Sequence, residues 1–229
     1  MATLLPPAHP DVRVWLVDLD TDDTAASLAL LTPDETARAG RFAFDHHRRR
    51  FVAGRAGLRR ILADELNARP AALSFTYNAS GKPELHPTAH GPRSLRFNVS
   101  HSDRYALVAT TTAGAIGVDI EKTRPIADVL RLARTAFSSS ELEALTALPA
   151  GAREAAFFAG WTRKEAYIKA RGDGLRLLGD FDVALTPEEP VRLKRVAGDA
   201  KETARWTLLS LAPVPGYAAA LCIERAASP

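Results

Sequence analysis

Three short stretches of this chain combine residue types that can do chemistry. In Gly117-Val118-Asp119-Ile120-Glu121, apolar and acidic residues alternate, so in a strand Val118 and Ile120 turn to one face and Asp119 and Glu121 to the other. Two carboxylates on one face raise each other's pKa unless a cation neutralises them. A hard divalent ion such as magnesium, which takes one or two carboxylates together with phosphate oxygens and water, meets that need. Two acids facing water at a strand end, beside Lys122 and Arg124, would leave the same pattern. In Trp161-Thr162-Arg163-Lys164-Glu165-Ala166-Tyr167-Ile168-Lys169, positions four apart share a helical face, which lines up Trp161, Glu165 and Lys169 with Lys164 alongside. Glu followed by Lys at that spacing is also a common surface salt pair. Only six of the 30 Lys and Arg residues are lysines, so two in one stretch suggest a need for a compact ammonium where guanidinium would not serve.

The third stretch, Phe97-Asn98-Val99-Ser100-His101-Ser102, ends a predicted strand in a polar cluster. Adjacent Ser100 and His101 cannot readily align as nucleophile and base, and no GxSxG elbow accompanies them, so a serine hydrolase is a poor fit. His101 among hydroxyls suits hydrogen bonding to an anion; a histidine satisfied by backbone is the plainer reading. Upstream, Gly81-Lys82-Pro83 joins a residue that allows close backbone approach to a point charge, which suits phosphate contact. Residues 38–60 hold eight arginines (Arg38, Arg41, Arg48, Arg49, Arg50, Arg55, Arg59 and Arg60) against Asp45 as the one acid. Arg forks fit phosphate oxygens, so a phosphorylated small molecule, a nucleic acid or an inert solvated face are the readings to weigh.

Recognisable elements must position these groups. Residues 12–19 are β-branched and aromatic and predict a strand. Thr32-Pro33-Asp34-Glu35 is a helix start, with Thr32 as cap and Pro33 at the first helical position. The basic segment is expected to continue that helix through Phe51, Leu58, Ile61, Leu62 and Leu66 until Pro70. Gly81, Pro83, Pro87, Gly91 and Pro92 predict a loop over residues 78–94. Strands are expected at 95–99, 105–110 and 116–120, a helix at 126–137, and another capped by Ser138 or Ser139. The strongest helix covers 153–171, closed by Gly172 and Gly174. Four more strands are expected at 181–185, 191–196, 206–211 and 217–223. Helices interleaved with strands in both halves indicate an α+β chain whose two similar lobes meet near residues 112–115.

The whole has 229 residues, 46% hydrophobic and 25% charged, an ordinary globular balance that excludes disorder, collagen and disulfide scaffolds. Cys222 is the lone cysteine, so an intramolecular disulfide or a CxxC pair is impossible, and a reducing compartment is expected. The N-terminal residues lack a secretory pattern and the apolar run at 217–223 is too short to span a bilayer. A cytoplasmic protein without membrane attachment is the expectation.

Taken in order, Gly81-Lys82-Pro83, residues 97–102, residues 117–121 and residues 161–170 resemble the Sfp-type 4′-phosphopantetheinyl transferases. The resemblance implies a pseudo-dimer of two similar α/β lobes, here 1–113 and 114–229, with coenzyme A in the cleft between them. It implies transfer of 4′-phosphopantetheine from coenzyme A to a serine hydroxyl of an apo acyl or peptidyl carrier protein, releasing adenosine 3′,5′-bisphosphate. It further implies Asp119, Glu121 and Glu165 as magnesium ligands. Glu165, Lys169 and Asp119 are the implied catalytic groups, with Glu165 as the preferred base. Coenzyme A contacts are implied at Arg38, Arg50, Arg55, Lys82, Pro83, Ser100, His101, Lys164 and Lys169, with His101 at the 3′-phosphate. The carrier would belong to polyketide or nonribosomal peptide synthesis, and Leu132, Phe137 and Leu142 offer apolar contacts for docking or for the core. A chain with both lobes can act as a monomer. The other readings are a coenzyme A binder without transfer activity and a basic nucleic-acid-binding protein; the latter leaves the paired acids without a purpose.

Overall fold

The computed structural model describes residues 2–20, 24–78, 81–86, 95–172 and 178–225. Two antiparallel sheets dominate it. The first joins β1 (Ala2–Leu4), β2 (Val12–Asp18), β5 (Arg96–Ser102) and β6 (Tyr105–Thr111) in the order β1-β2-β6-β5. The second joins β7 (Ile116–Lys122), β10 (Trp206–Leu211) and β11 (Tyr217–Glu224) in the order β10-β11-β7. Strand alternation sorts their side chains into layers. Val12, Val14, Leu107 and Ala109 of the first sheet meet Val118, Ile120 and Leu221 of the second in a shared core. On the outer face of the first sheet, Val17, Phe97 and Val108 pack with Leu58, Ile61 and Leu62 of helix α3 (Asp45–Leu66). On the outer face of the second, Ala220, Cys222 and Leu208 pack with Ala166, Tyr167 and Ala170 of helix α6 (Ala150–Arg171). The order of layers is helix, sheet, sheet, helix.

The remaining elements are α1 (Thr24–Leu28), α2 (Pro33–Ala39), α4 (Val129–Ala136), α5 (Ser139–Ala147), and the hairpins β3 (Phe75–Tyr77) with β4 (Pro83–Leu85) and β8 (Phe181–Val183) with β9 (Leu193–Val196). Caps form where the sequence placed them. Thr32 and Glu35 make a reciprocal capping box at α2, Ser138 and Glu141 another at α5, and Gly172 ends α6 with φ 83°. Gly174 lies outside the described residues.

Three expectations need correction. The basic segment is not one helix: α2 stops at Ala39 with Gly40 as its C-cap, and α3 begins at Asp45 after the extended Phe44. It ends at Asn67 in the left-handed conformation (φ 50°), so Pro70 opens a separate short turn instead of ending the helix. The stretch rich in Pro and Gly is also not all loop, because Pro83–Leu85 pairs with Phe75–Tyr77 around Gly81, whose φ of 80° suits glycine. Pro87, Gly91 and Pro92 lie outside the described residues. The helix expected at 126–137 begins only at Val129, where the Asp128 carboxylate accepts from the Arg131 amide at 2.9 Å. Among the described residues no helix is long and apolar enough to cross a membrane.

Candidate functional site

The alternation read from residues 117–121 holds. Val118 and Ile120 are fully buried in the shared core, and Gly117, Asp119 and Glu121 face the other way, towards α6. What sets the distance is Gly117. A Cβ built there would stand 2.0 Å from the Ala166 carbonyl oxygen and 2.4 Å from the Ala170 amide, so only glycine lets the helix lie flush on the strand. That contact brings Glu165 and Lys169, one turn apart on α6, over Asp119.

Asp119 is 2% exposed. Its Oδ1 accepts from Lys169 Nζ at 2.6 Å and from Ser100 Oγ at 2.7 Å, and Lys169 Nζ also donates to Ser100 Oγ at 2.9 Å. Its Oδ2 is buried with no hydrogen-bond partner, and so is Glu165 Oε1. Burial raises the Asp119 pKa despite the opposing charge of Lys169. Glu165 is pushed up to about 7, by burial first and then by the charge of Asp119, with Lys169 opposing and Glu121 adding. The charges of Asp119 and Glu121 both reach Glu165, so the three acids are neighbours. Among the described residues, no three His, Cys, Asp or Glu side chains are already drawn up as a metal cage; Lys169 sits on the inner oxygen of Asp119. The donor set still fits a hard cation, since every free donor is a carboxylate oxygen and two of them are buried and orphaned.

The partners of these acids come from β5, which runs beside β7 in the same direction. Asn98 Oδ1 accepts from the Val118 amide at 2.8 Å, Ser100 meets Asp119, and Ser102 Oγ donates to Glu121 Oε2 at 2.8 Å while accepting from the Lys122 amide at 3.1 Å. Asn98, Ser100 and Ser102 occupy alternate positions and therefore one face of the strand. His101 takes the other face with Phe97 and Val99, where it is exposed. Ser100 and His101 are neighbours in sequence but look to opposite sides of the sheet.

Several residues expected to contact coenzyme A have partners within the protein. Lys164 is 0% exposed; its Nζ bonds Glu141 at 2.6 Å and the Phe181 carbonyl at 2.7 Å, and lies over the Phe181 ring. It ties α6 to α5 and β8 and does not reach the acids. Arg55 pairs with Glu35, which also binds Arg59 at 2.8 and 2.9 Å, and Arg55 donates to the Tyr77 hydroxyl at 2.5 Å. Arg50 holds Asp20 at 2.7 and 2.9 Å and Asp103 at 2.7 Å, and Asp103 in turn pairs with Lys122. Arg38 is exposed and lies over the Phe51 ring at 5.3 Å. Arg48 and Arg49 share Asp45 at 2.6 and 2.9 Å. Arg48, Arg49, Arg50, Arg55 and Arg59 therefore stand against acids near and far in sequence. Lys82 is drawn inward, its Nζ on the Ile116 carbonyl at 3.0 Å and the Lys169 carbonyl at 2.8 Å. The turn that carries it, with Pro83, walls a cavity of about 240 Å³ whose other side is Asn98, Ile168 and Lys169.

Sequence reasoning missed Gly117 as the clearance under α6 and Ser102 and Asn98 as partners of β7. The signal for the serines and Asn98 was present as a polar residue at every second position of 98–102.

A family model described as the 4′-phosphopantetheinyl transferase superfamily matches residues 115–222, and one described as 4′-phosphopantetheinyl transferase, N-terminal, matches residues 20–113. The 4′-phosphopantetheinyl transferase HetI of Nostoc sp. is 40% identical over 215 residues, covering 93% of this chain and 87% of that protein. The 4′-phosphopantetheinyl transferase Sfp of Bacillus subtilis is 29% identical over 179 residues, 77% of this chain and 76% of its own. The human L-aminoadipate-semialdehyde dehydrogenase-phosphopantetheinyl transferase is 30% identical over 152 residues, 63% of this chain and 49% of its own.

Proposed function

The chain belongs to the 4′-phosphopantetheinyl transferase superfamily and is an enzyme that transfers the phosphopantetheine group to carrier proteins; from that premise we propose that coenzyme A is the donor, that magnesium is held by Asp119, Glu121 and Glu165, and that adenosine 3′,5′-bisphosphate is released. The observation that carries this reading is the pair of buried, unpartnered oxygens, Asp119 Oδ2 and Glu165 Oε1. Leaving such groups unpaired costs free energy, and a hard cation is the ligand that offsets it. When bound, the cation supplies charge neutralisation for a diphosphate and its acids.

The chain's own groups account for the rest. Lys169, on Asp119 and Ser100 at the edge of the pocket, is placed to stabilise negative charge developing at the pyrophosphate. Ser100 holds both partners in place, and Ser102 orients Glu121. Glu165 is assigned as the base that accepts the proton of the carrier serine. The cavity between the Gly81-Lys82-Pro83 turn and the end of α6 supports a coenzyme A site, with Pro83 of the β3–β4 hairpin on its wall; the 3′-phosphate is assigned to His101, exposed on β5. We read 1–113 and 114–229 as paired lobes, a view supported by a helix of 22 residues on the outer face of each sheet, α3 and α6. The carrier is assigned to polyketide or nonribosomal peptide synthesis, and the enzyme is taken as a cytoplasmic monomer. The internal pairing of the arginines weighs against a nucleic-acid partner.

Incubation with coenzyme A, magnesium and an apo carrier protein tests the reading. The carrier should gain the mass of one phosphopantetheine, and a chelator should stop the gain. Loading that persists after chelation removes the metal from the mechanism; no loading of acyl or peptidyl carriers removes the donor and acceptor assignment.

A further inference from the structure

Lys82 is a half-buried lysine whose ammonium is held by backbone carbonyls. Its ammonium crosses from the β3–β4 hairpin to two carbonyls of the other half of the chain, Ile116 at the start of β7 and Lys169 in the last turn of α6. The last carbonyls of a helix lack an intrahelical donor and carry its negative dipole end, so a cation there is doubly favoured. The Lys82 amide is itself fixed by Asn78 Oδ1 at 2.9 Å, which anchors the turn that presents the ammonium. Burial pushes its pKa down to about 8; Glu84 opposes this, and the positive charges of Arg96 and Lys169 add to it. A cation kept among like charges, with its bonds on backbone, serves geometry.

We propose that Lys82 is a positioning residue for the transfer: by gripping the Lys169 carbonyl and the first carbonyl of β7 together, it sets where the Lys169 ammonium stands on Asp119 and holds the hairpin as a wall of the cavity. The inference rests on the transferase reading above, and it deepens it by assigning the lysine of the Gly81-Lys82-Pro83 turn to Lys169 and not to a phosphate.

Lys82→Met keeps an unbranched side chain of nearly the same length and removes the charge and donors. Carrier loading gives kcat and the KM for coenzyme A, and calorimetry with adenosine 3′,5′-bisphosphate gives the nucleotide Kd and the fraction of competent sites. The expected result is a fall in kcat of tenfold or more at saturating coenzyme A, with the bisphosphate Kd within threefold of wild type and a stoichiometry near one. A tenfold weaker bisphosphate with unchanged kcat would show the ammonium to be a phosphate ligand and overturn the inference. A stoichiometry that falls in step with kcat would reduce Lys82 to a fold contact and overturn it too. If Lys82→Met does not fold, Lys82→Arg, which keeps charge and donors but shifts them outward, should lower kcat severalfold at constant Kd, and an unchanged kcat in that variant overturns the inference. Wild-type protein that loads no carrier would bring down the transferase chemistry itself; normal wild-type loading with silent Lys82 variants sinks this inference alone.

Discussion

Helix α6 carries two lysines five positions apart that are used in opposite ways. Lys164 and Glu141 are both buried and both satisfied: Glu141 takes the ammonium on Oε2 and the Val183 amide on Oε1. Lys169 and Asp119 form a pair of the same length, 2.6 Å, but the lysine is partly open to solvent and Asp119 keeps a buried oxygen with no partner. The first arrangement is finished and the second is not. A completed buried pair holds elements together, whereas unmet acceptors beside an opening mark where a ligand adds free energy. The family resemblance implied Lys164 as a coenzyme A contact; its partners make it a strut.

The contrast is broken most severely at Asp119. Asp119→Ala should lower carrier loading by more than about a thousandfold, on the scale of losing a group that acts in the transition state, while circular dichroism and the thermal midpoint remain those of a folded protein. Loading near the wild-type rate would place the chemistry elsewhere. Lys164→Met should do the reverse. Removing one member of a buried pair leaves Glu141 unpaired and destabilises by about 3–5 kcal/mol, visible in urea unfolding, while kcat per folded molecule stays unchanged. A loss of kcat without a loss of stability would return Lys164 to the active site.

Gly117→Ala tests the clearance on which the unfinished pair depends. Its Cβ would press on the Ala166 carbonyl and the Ala170 amide, both backbone, so α6 must move. We expect a loss of about 1–3 kcal/mol together with a kcat deficit larger than the unfolded fraction explains. Activity falling only in proportion to stability would make Gly117 a packing residue and no more.

The remaining effects concern pH, and their signs are opposite. Glu35 is buried, which pushes its pKa up, but the hydrogen bond from Arg59, the Thr32 amide and Arg55 outweigh this and hold it below the usual carboxylate range. Its folded pKa lies below the unfolded one, so its contribution to stability is present above the unfolded value and lost as pH falls through the folded one. Glu35→Gln should flatten the acid limb of the stability curve. Glu165 is raised to about 7, so its ionisation opposes folding above that pH and has no effect below the unfolded value. Glu165→Gln should therefore stabilise the cation-free protein by about 1–3 kcal/mol at pH 8, with the gain vanishing towards pH 4, and should abolish loading. Stabilisation that is independent of pH would mean the orphaned oxygen is not the cause.

The elements that proved legible are those governed by near neighbours. The capping box of Thr32 with Glu35 spans three residues, Gly172 ends its own helix, and the alternation of residues 117–121 follows from strand geometry. The break between α2 and α3 was hidden because Arg and Ala on both sides keep good helix propensity, and the β3–β4 hairpin was masked by Pro83 and Gly81, which read as loop. The site was half legible. Glu165 and Lys169 on one turn, and two acids on one strand face, are local facts. That Ser102 serves Glu121, or that Arg50 serves Asp20 and Asp103 at separations of 30 and 53 residues, is not.

By itself the sequence determined the kinds of groups available and their periodic spacing: carboxylates at 119, 121 and 165, an ammonium at 169, and hydroxyls at 100 and 102. Only the tertiary structure decided which charges are spent and which are left over. Charge cancellation acts through space over a few ångströms and ignores distance along the chain, so Arg55 and Lys164 disappear into pairs, while Asp119 and Glu165 meet across a glycine-thin gap with oxygens to spare.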